Sequence, residues 1–253
     1  MPQRLANLVN RWKSAGVPVA VCVDFDGTLT PIVRRPIRAR LSPRVCSLLK
    51  ALADCPGVEI AVVSGRRLND VKRLIGLPRL SYVGLHGAER QWRDTPLEFE
   101  WEKGDSTRVK RLLRRVIDLV PLSQGWRLDD KGAAAGFHHA GTSPRVKETL
   151  RKAVKSACRS LPGPWRLIDN FRTLEVLAAP VDKGRAIRWI RRRMGRGGRL
   201  VYLGDDRTDE HAFAALSKKD IGVLVASHAR PTRAQFRLVG VKEVHRFLAL
   251  AGR

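Results

Sequence analysis

One stretch limits the possible folds more than any other: the apolar run "VPVAVCVDF" at residues 17–25, followed by "DGTLTP" at 26–31. From Val19 to Val23 no position is polar, so neither side of the segment suits water. A strand buried on both faces belongs in a parallel sheet with helices above and below. Two aspartates, Asp24 and Asp26, leave that strand at its carboxyl end. In an open α/β sheet this is the edge where ligands bind.

The pattern recurs along the chain. "VEIAVVS" (58–64) is a second β-branched apolar run, and "LSYVGLHG" (80–87) is a weaker third. Between the first two lies "SPRVCSLLKALADCPG" (42–57), with Ser42 placed as an N-cap, Pro43 at the first helical position and Pro-Gly as a stop. Near residue 88 the period changes to short alternating strands and two capped helices, which predicts an antiparallel sheet with one covered face. From "VDKGRAIRWIRRRMG" the strand–helix alternation resumes, through "RLVYLGDD" (199–206), "IGVLVA" (221–226) and the terminal "VKEVHRFLALAG". The expected fold is α/β: a Rossmann-like open parallel-sheet core, residues 1–88 and 179–253, interrupted by an inserted α+β domain over 89–178.

The chain carries 49 Lys+Arg against 24 Asp+Glu, a net charge of +25, and such a field attracts anions. The basic runs at 34–40, 109–116 and 187–199 read as solvated faces. Aromatic residues make up 6% of the chain and few lie among the arginines, so there is no stacking surface for bases. Non-specific adhesion to polyanions is expected; specific nucleic-acid binding is not. Cys22, Cys46, Cys55 and Cys158 show no C-x-x-C spacing. No apolar run approaches the roughly 20 residues that span a bilayer, and "MPQRLANLVNRWKSAG" has no signal-peptide core. A cytoplasmic protein without membrane association is expected.

At the strand ends stand Asp24 and Asp26, Ser64 with Arg66, His86, and Asp205, Asp206 and Asp209 of "YLGDDRTDE". Carboxylates from two distant segments that converge on one edge repel each other unless a cation sits among them. Hard oxygen donors without His or Cys suit Mg2+. An aspartate in such a site can attack phosphorus to form an acyl phosphate. A second carboxylate two residues on can protonate the leaving alkoxide and then take a proton from water. Gly27 and Thr28 let backbone N–H groups turn toward phosphoryl oxygens. Lys183, opening a helix in "VDKGRAI", is the candidate to neutralise them.

This set resembles the haloacid dehalogenase (HAD) phosphatases. D-x-D-G-T at 24–28, Ser64 ending strand two, Lys183, and G-D-D-x-x-D at 204–209 occur in order. A finer pattern is similar to the trehalose-6-phosphate phosphatase family: "DFDGTLTP" (24–31), Ser64-Gly65-Arg66, "GLHGAE" (84–89) and "GDDRTDEHAF" (204–213). The resemblance implies a HAD core with Asp24 as nucleophile and Asp26 as acid/base. It implies Mg2+ held by Asp24, the backbone carbonyl of Asp26, and Asp205, with Asp206 and Asp209 behind these ligands. Substrate contacts would come from Thr28, Ser64, Gly65, Arg66 and His86, and a cap domain would present Lys131, His138 and Glu175 to a sugar.

In the cap the pattern departs from the family. Ala140 stands where an H-x-R strand has Arg, and "EVLAAP" (175–180) lacks the Arg of an E-L-R-P-type segment. Trehalose 6-phosphate is the expected substrate. The alternative is another glycosyl phosphate, such as glucosyl- or mannosyl-phosphoglycerate or sucrose phosphate. The competing class is a basic nucleic-acid-binding protein or a nucleic-acid-end phosphatase. The expected partner is thus a small-molecule sugar phosphate, with a trehalose-phosphate synthase as a possible neighbour in the family's pathway.

Overall fold

The computed structural model describes residues 1–33, 41–170 and 173–253; the basic run at 34–40 lies outside them. The chain divides into two compact units, one of Met1–Glu98 with Asp182–Arg253 and one of Phe99–Val181. The first unit opens with α1 (Pro2–Ser14), β1 (Val19–Asp24), α2 (Pro43–Ala53), β2 (Val58–Val63), α3 (Leu68–Ile75), β3 (Ser81–Gly84) and β4 (Glu89–Gln91), ending at β5 (Glu98–Phe99). The second holds α4 (Lys103–Leu119), β6 (Arg127–Asp130), β7 (Ala134–His138), α5 (Pro144–Ser160), β8 (Arg166–Asp169) and β9 (Thr173–Leu177). The chain then completes the first unit with α6 (Lys183–Met194), β10 (Arg199–Gly204), α7 (Asp209–Ala215), β11 (Ile221–Val225), β12 (Phe236–Leu238) and α8 (Val241–Ala251).

Among the described residues the core sheet has the order β12-β11-β10-β1-β2-β3-β4-β5. Its strands from β12 to β3 run parallel. β1 is buried at every position, as its unbroken apolar run requires. Alternate residues serve opposite faces. Val19, Val21 and Val23 pack with α1, α2, α3 and α8, through side chains such as Leu5, Leu49, Val71 and Phe247. Ala20 and Cys22 face the other way, under Ile187 and Ile190 of α6 and Phe213 of α7. Small residues there let α6 lie close to the sheet, and its first residue, Lys183, is brought to the carboxyl end of β1. Val19 pairs with both Val58 and Arg199, and Asp24 lies opposite Val63. The carboxyl ends of β1, β2 and β10 are therefore level. The chain leaves β1 toward β2 on one side and returns to β10 on the other, which is a topological switch point.

In the second unit the antiparallel sheet has the order β6-β7-β9-β8. Leu128, Phe137, Leu174 and Leu167 take one face and pack with Val109, Leu112 and Val116 of α4 and Leu150 and Val154 of α5. Asp129, Gly136 and Glu175 align across the opposite face. α5 starts as its sequence predicts, with the Ser143 side chain accepting from Val146 N.

The units divide after Glu98 and after Val181, not at the 88/89 and 178/179 boundaries read from the sequence. Residues 89–91 pair antiparallel with β3 as an extension of the core sheet. Glu98 is tied to α6, accepting from Trp189 Nε1 at 2.9 Å and from Arg193. Among the described residues no helix is long and apolar enough to cross a membrane.

Candidate active site

Asp24 ends β1, Ser64 follows β2 and Asp205 follows β10, so the parallel register sets all three at one edge. The Asp24 carboxyl is buried and its Oδ1 accepts from Lys183 Nζ at 2.8 Å. Lys183 donates also to Asp209 Oδ1 at 2.7 Å. It is held there as the first residue of α6, whose N-cap Asp182 accepts from Arg185 N. Asp209, fully buried, accepts from Tyr202 Oη at 2.6 Å and, through Oδ2, from Asp206 N at 2.8 Å. Thr28 Oγ1 donates to Asp205 Oδ1 at 3.0 Å. Carboxylate oxygens of Asp24, Asp205 and Asp209 lie within 4.8 Å of one another.

Glycine is required where these segments meet. Gly27 has φ +88°, and a Cβ there would stand 2.1 Å from Asp205 Oδ2. Gly204 is constrained by space alone, since its Cβ would lie 2.3 Å from Asp209 Cγ.

Burial raises the Asp24 carboxyl well above the usual carboxylate range; Lys183 opposes the shift, and Asp209 and Asp205 add to it. Asp205 is pushed up to about 6 by burial and then by Asp209. On Lys183 burial works against the ammonium, but Asp209 and Asp24 outweigh it and raise its pKa. Three carboxyl groups thus share one ammonium, an all-oxygen, acid-rich donor set of the kind Mg2+ takes. The residues fit that ion, whose charge would favour the ionised form of each carboxyl.

Asp26 is engaged separately. Arg66 Nε donates to its Oδ2 and Nη2 to its Oδ1, each at 2.6 Å. Asp206 is half-buried, and its Oδ1 accepts from Arg207 N at 2.7 Å, so it shapes the turn into α7.

The "SGR" and "GLHGAE" segments form one unit. Arg66 N donates to Ser64 Oγ at 3.1 Å, His86 N to Ser64 O at 3.0 Å, and Leu85 N to Arg66 O at 2.8 Å. Leu85 and His86 have φ +44° and +56°, a region that side-chain-bearing residues rarely adopt. The His86 ring lies over Gly65, where a Cβ would stand 2.6 Å from Cε1. Glu89 anchors the far end of the loop, its Oε2 accepting from Leu68 N at the start of α3 at 2.6 Å.

In the second unit Lys131, His138 and Glu175 gather on one sheet face. Lys131 Nζ donates to Glu175 Oε1 at 2.5 Å, and His138 Nδ1 lies 3.2 Å from Thr173 Oγ1. Asp129 joins them, with Oδ2 3.7 Å from His138 Nε2 and 4.0 Å from Lys131 Nζ. Contact with His138 holds the Asp129 carboxyl below its usual value.

Sequence reasoning did not single out Tyr202, Glu89, Asp129 or Arg230. Arg230 Nη2 donates to Asp205 O at 2.9 Å and steadies that loop. Tyr202 left one signal, a hydroxyl inside an otherwise apolar strand two residues before Gly204. Arg230, far along the chain in a loop, left none.

An open parallel sheet with an inserted α+β unit, and buried acids around a lysine at its carboxyl edge, define a phosphomonoester hydrolase of the HAD type. A trehalose-phosphatase family model matches residues 22–242, and the chain belongs to that family. Over 254 residues it is 28% identical to probable trehalose-phosphate phosphatase E of Arabidopsis thaliana, covering 93% of this chain and 70% of that one. The C-terminal domain of C. albicans trehalose-6-phosphate phosphatase superposes with a TM-score of 0.80 at 19% identity, covering 98% of this chain and 96% of that one. Aspergillus fumigatus trehalose-6-phosphate phosphatase superposes at 0.69 with 24% identity, covering 98% and 97%. At those identities the two structures speak for the fold.

Proposed function

We propose that this protein is a Mg2+-dependent phosphomonoesterase that hydrolyses trehalose 6-phosphate through a phosphoryl group carried on Asp24. The observation that supports it best is the Asp24–Lys183–Asp209 chain at the carboxyl edge of the sheet, with Asp205 beside it. Asp24 attacks phosphorus as the bond from phosphorus to the sugar oxygen breaks. Asp26 gives a proton to that oxygen, then takes one from the water that attacks the phosphoryl-Asp24 and frees phosphate. Lys183 holds Asp24 in line and sets positive charge beside it. Thr28, Ser64, Gly65, Arg66 and His86 surround the phosphoryl group. Asp24, the carbonyl of Asp26, and Asp205 would hold the metal, with Asp206 and Asp209 behind them. When bound, Mg2+ neutralises phosphoryl charge and orients the reacting group. The second unit acts as the cap, with Lys131, His138 and Glu175 reading the sugar.

A second substrate reading has its own support. Ala140 is exposed just beyond β7 where the family pattern has Arg, so another glycosyl phosphate is the alternative. Phosphate release across phosphorylated disaccharides, glycosyl glycerates and hexose phosphates separates the two. Trehalose 6-phosphate is expected to turn over fastest, and a faster rival would replace it while leaving the class intact. Asp24→Asn is expected to lower kcat by at least about a thousandfold in a chain that still folds. Chelation is expected to abolish turnover and Mg2+ to restore it. Substantial activity in Asp24→Asn would sink the phosphoryl-aspartate scheme.

A further inference from the structure

Glu210 closes the "GDDRTDE" run at 204–210 and has no task in the proposed reaction. Its carboxylate is engaged by the loop between β11 and β12. Oε1 accepts from Thr232 Oγ1 at 2.7 Å and Oε2 from Arg233 N at 2.9 Å. Thr232 Oγ1 in turn accepts from Ala234 N at 3.1 Å. At the start of the loop Arg237 Nη1 donates to Ala226 O and Ser227 O, and at its end Gly222 N donates to Gln235 Oε1. Pro231, whose ring fixes its own φ, links Arg230 to Thr232. β11 runs parallel to β10, so this braced loop leaves the sheet at the same carboxyl edge as Asp205.

The loop brings Arg230 to that edge, where Nη2 donates to Asp205 O at 2.9 Å. The carbonyl belongs to the peptide joining Asp205 to Asp206, and the N–H of the same peptide donates to Asp209 Oδ2 at 2.8 Å. A peptide is planar, so gripping both of its polar groups fixes the plane and with it ψ of Asp205. That backbone angle helps to set where the Asp205 carboxylate lies relative to Asp24 and Asp209, the other members of the acid cluster. We propose that Arg230 and Glu210 are positioning residues for Mg2+. Glu210 anchors the loop, and the loop holds Arg230 on the Asp205 carbonyl, so that the Asp205 carboxylate keeps its place as a metal donor. This rests on the reading of Asp205 as a metal donor given above. The charge of Arg230 does not account for its placement, because a guanidinium near a cation site repels the cation. Its hydrogen bond to a main-chain carbonyl does.

The test is calorimetric titration of Mg2+ alone into the unaltered protein, Arg230→Met, Arg230→Lys, Glu210→Gln and the double variant of Arg230→Met with Glu210→Gln. Thermal unfolding in EDTA shows that each chain is folded. Charge and position predict opposite signs for Arg230→Met. Loss of a cation alone would tighten Mg2+ binding, whereas loss of the clip is expected to weaken it about tenfold. Arg230→Lys keeps a donor and the charge, and is expected to recover most of that loss. Glu210→Gln removes one of the two acceptors that hold the loop and is expected to weaken Mg2+ about threefold. The double variant is expected to bind no more weakly than Arg230→Met, since Glu210 acts through Arg230. Unchanged or tighter Mg2+ binding in Arg230→Met, or losses that simply add in the double variant, would overturn the clip. So would failure of the unaltered protein to bind Mg2+ at millimolar concentration. Mg2+ binding that follows the expected pattern, without phosphate release from any sugar phosphate, would instead overturn the phosphatase reading and leave the clip standing.

Discussion

In the core unit Asp209 accepts from the main-chain N–H of Asp206, Glu89 from that of Leu68, and Asp220 from those of Leu200 and Ser217. On the polar face of the inserted sheet, Lys131 meets Glu175 and His138 meets Asp129 and Thr173, side chain to side chain. The two regions differ in part: in the core, side chains also hold Asp24, Asp26 and Asp205, and main-chain amides add fixed contacts at Asp209, Glu89 and Asp220. Main-chain amides are fixed by the fold, so an acid bonded to them keeps its place when a neighbouring side chain changes. Side-chain partners move with one another. The first arrangement suits bond-making, where small displacements are costly. The second suits recognition, which side-chain exchange on a fixed scaffold can retune.

The largest effect should come from removing the lysine at the centre of the core. Lys183→Met leaves Asp24 and Asp209 buried and facing each other without a counter-charge. Breaking a buried pair in this way costs about 3–5 kcal/mol. Urea unfolding at pH 7 is expected to show a loss of that size, together with loss of turnover. A loss below about 1 kcal/mol would mean that the core rearranges as freely as a side-chain cluster, and the contrast would fail.

The same contrast explains what the sequence made legible. Asp24, Ser64 and Asp205 were readable because each follows an apolar run, and the sheet's register does the rest. The strand–helix order, α2 with its Ser42 cap and the return at Lys183 were readable for the same local reason. Glu89–Gln91 read as part of the insertion because three residues carry too little pattern to reveal pairing with β3. β12, equally short, passed unnoticed, and α1 has no side-chain cap bond to announce it. In the site, the Asp26–Arg66 fork joins residues 40 apart in sequence, and Asp129 meets His138 only through the β6–β7 register. Pairings made across space between side chains leave no periodic trace.

A smaller effect is expected on the inserted sheet. Lys131→Ala and Glu175→Gln should each raise KM for trehalose 6-phosphate about tenfold, with kinetics on p-nitrophenyl phosphate within about twofold of the unaltered protein. Because the two side chains are each other's partner, the double variant should lose less than the sum of the singles. Equal damage to both substrates would mean that these residues support the chemistry, and the division between the regions would be misdrawn.

A last test probes a buried acid away from the site that combines main-chain and side-chain donors. Asp220 is buried, and its carboxylate accepts from Leu200 N at 2.9 Å, from Ser217 N and Oγ at 2.7 Å each, and from Arg191. Burial alone would raise its pKa, but Arg191 and these donors outweigh burial and hold it below the usual aspartate value. A carboxyl lowered in the folded state contributes stability that is full above the unfolded pKa, about 4, and is lost as pH falls through the folded value. Asp220→Asn is therefore expected to cost about 1–3 kcal/mol at pH 7. Its unfolding midpoint should approach that of the unaltered protein as pH is lowered beneath about 4. A gap that persists unchanged in acid would mean that the site is held by packing and not by charge on fixed amides, and main-chain anchoring would then not be what steadies the core's acids.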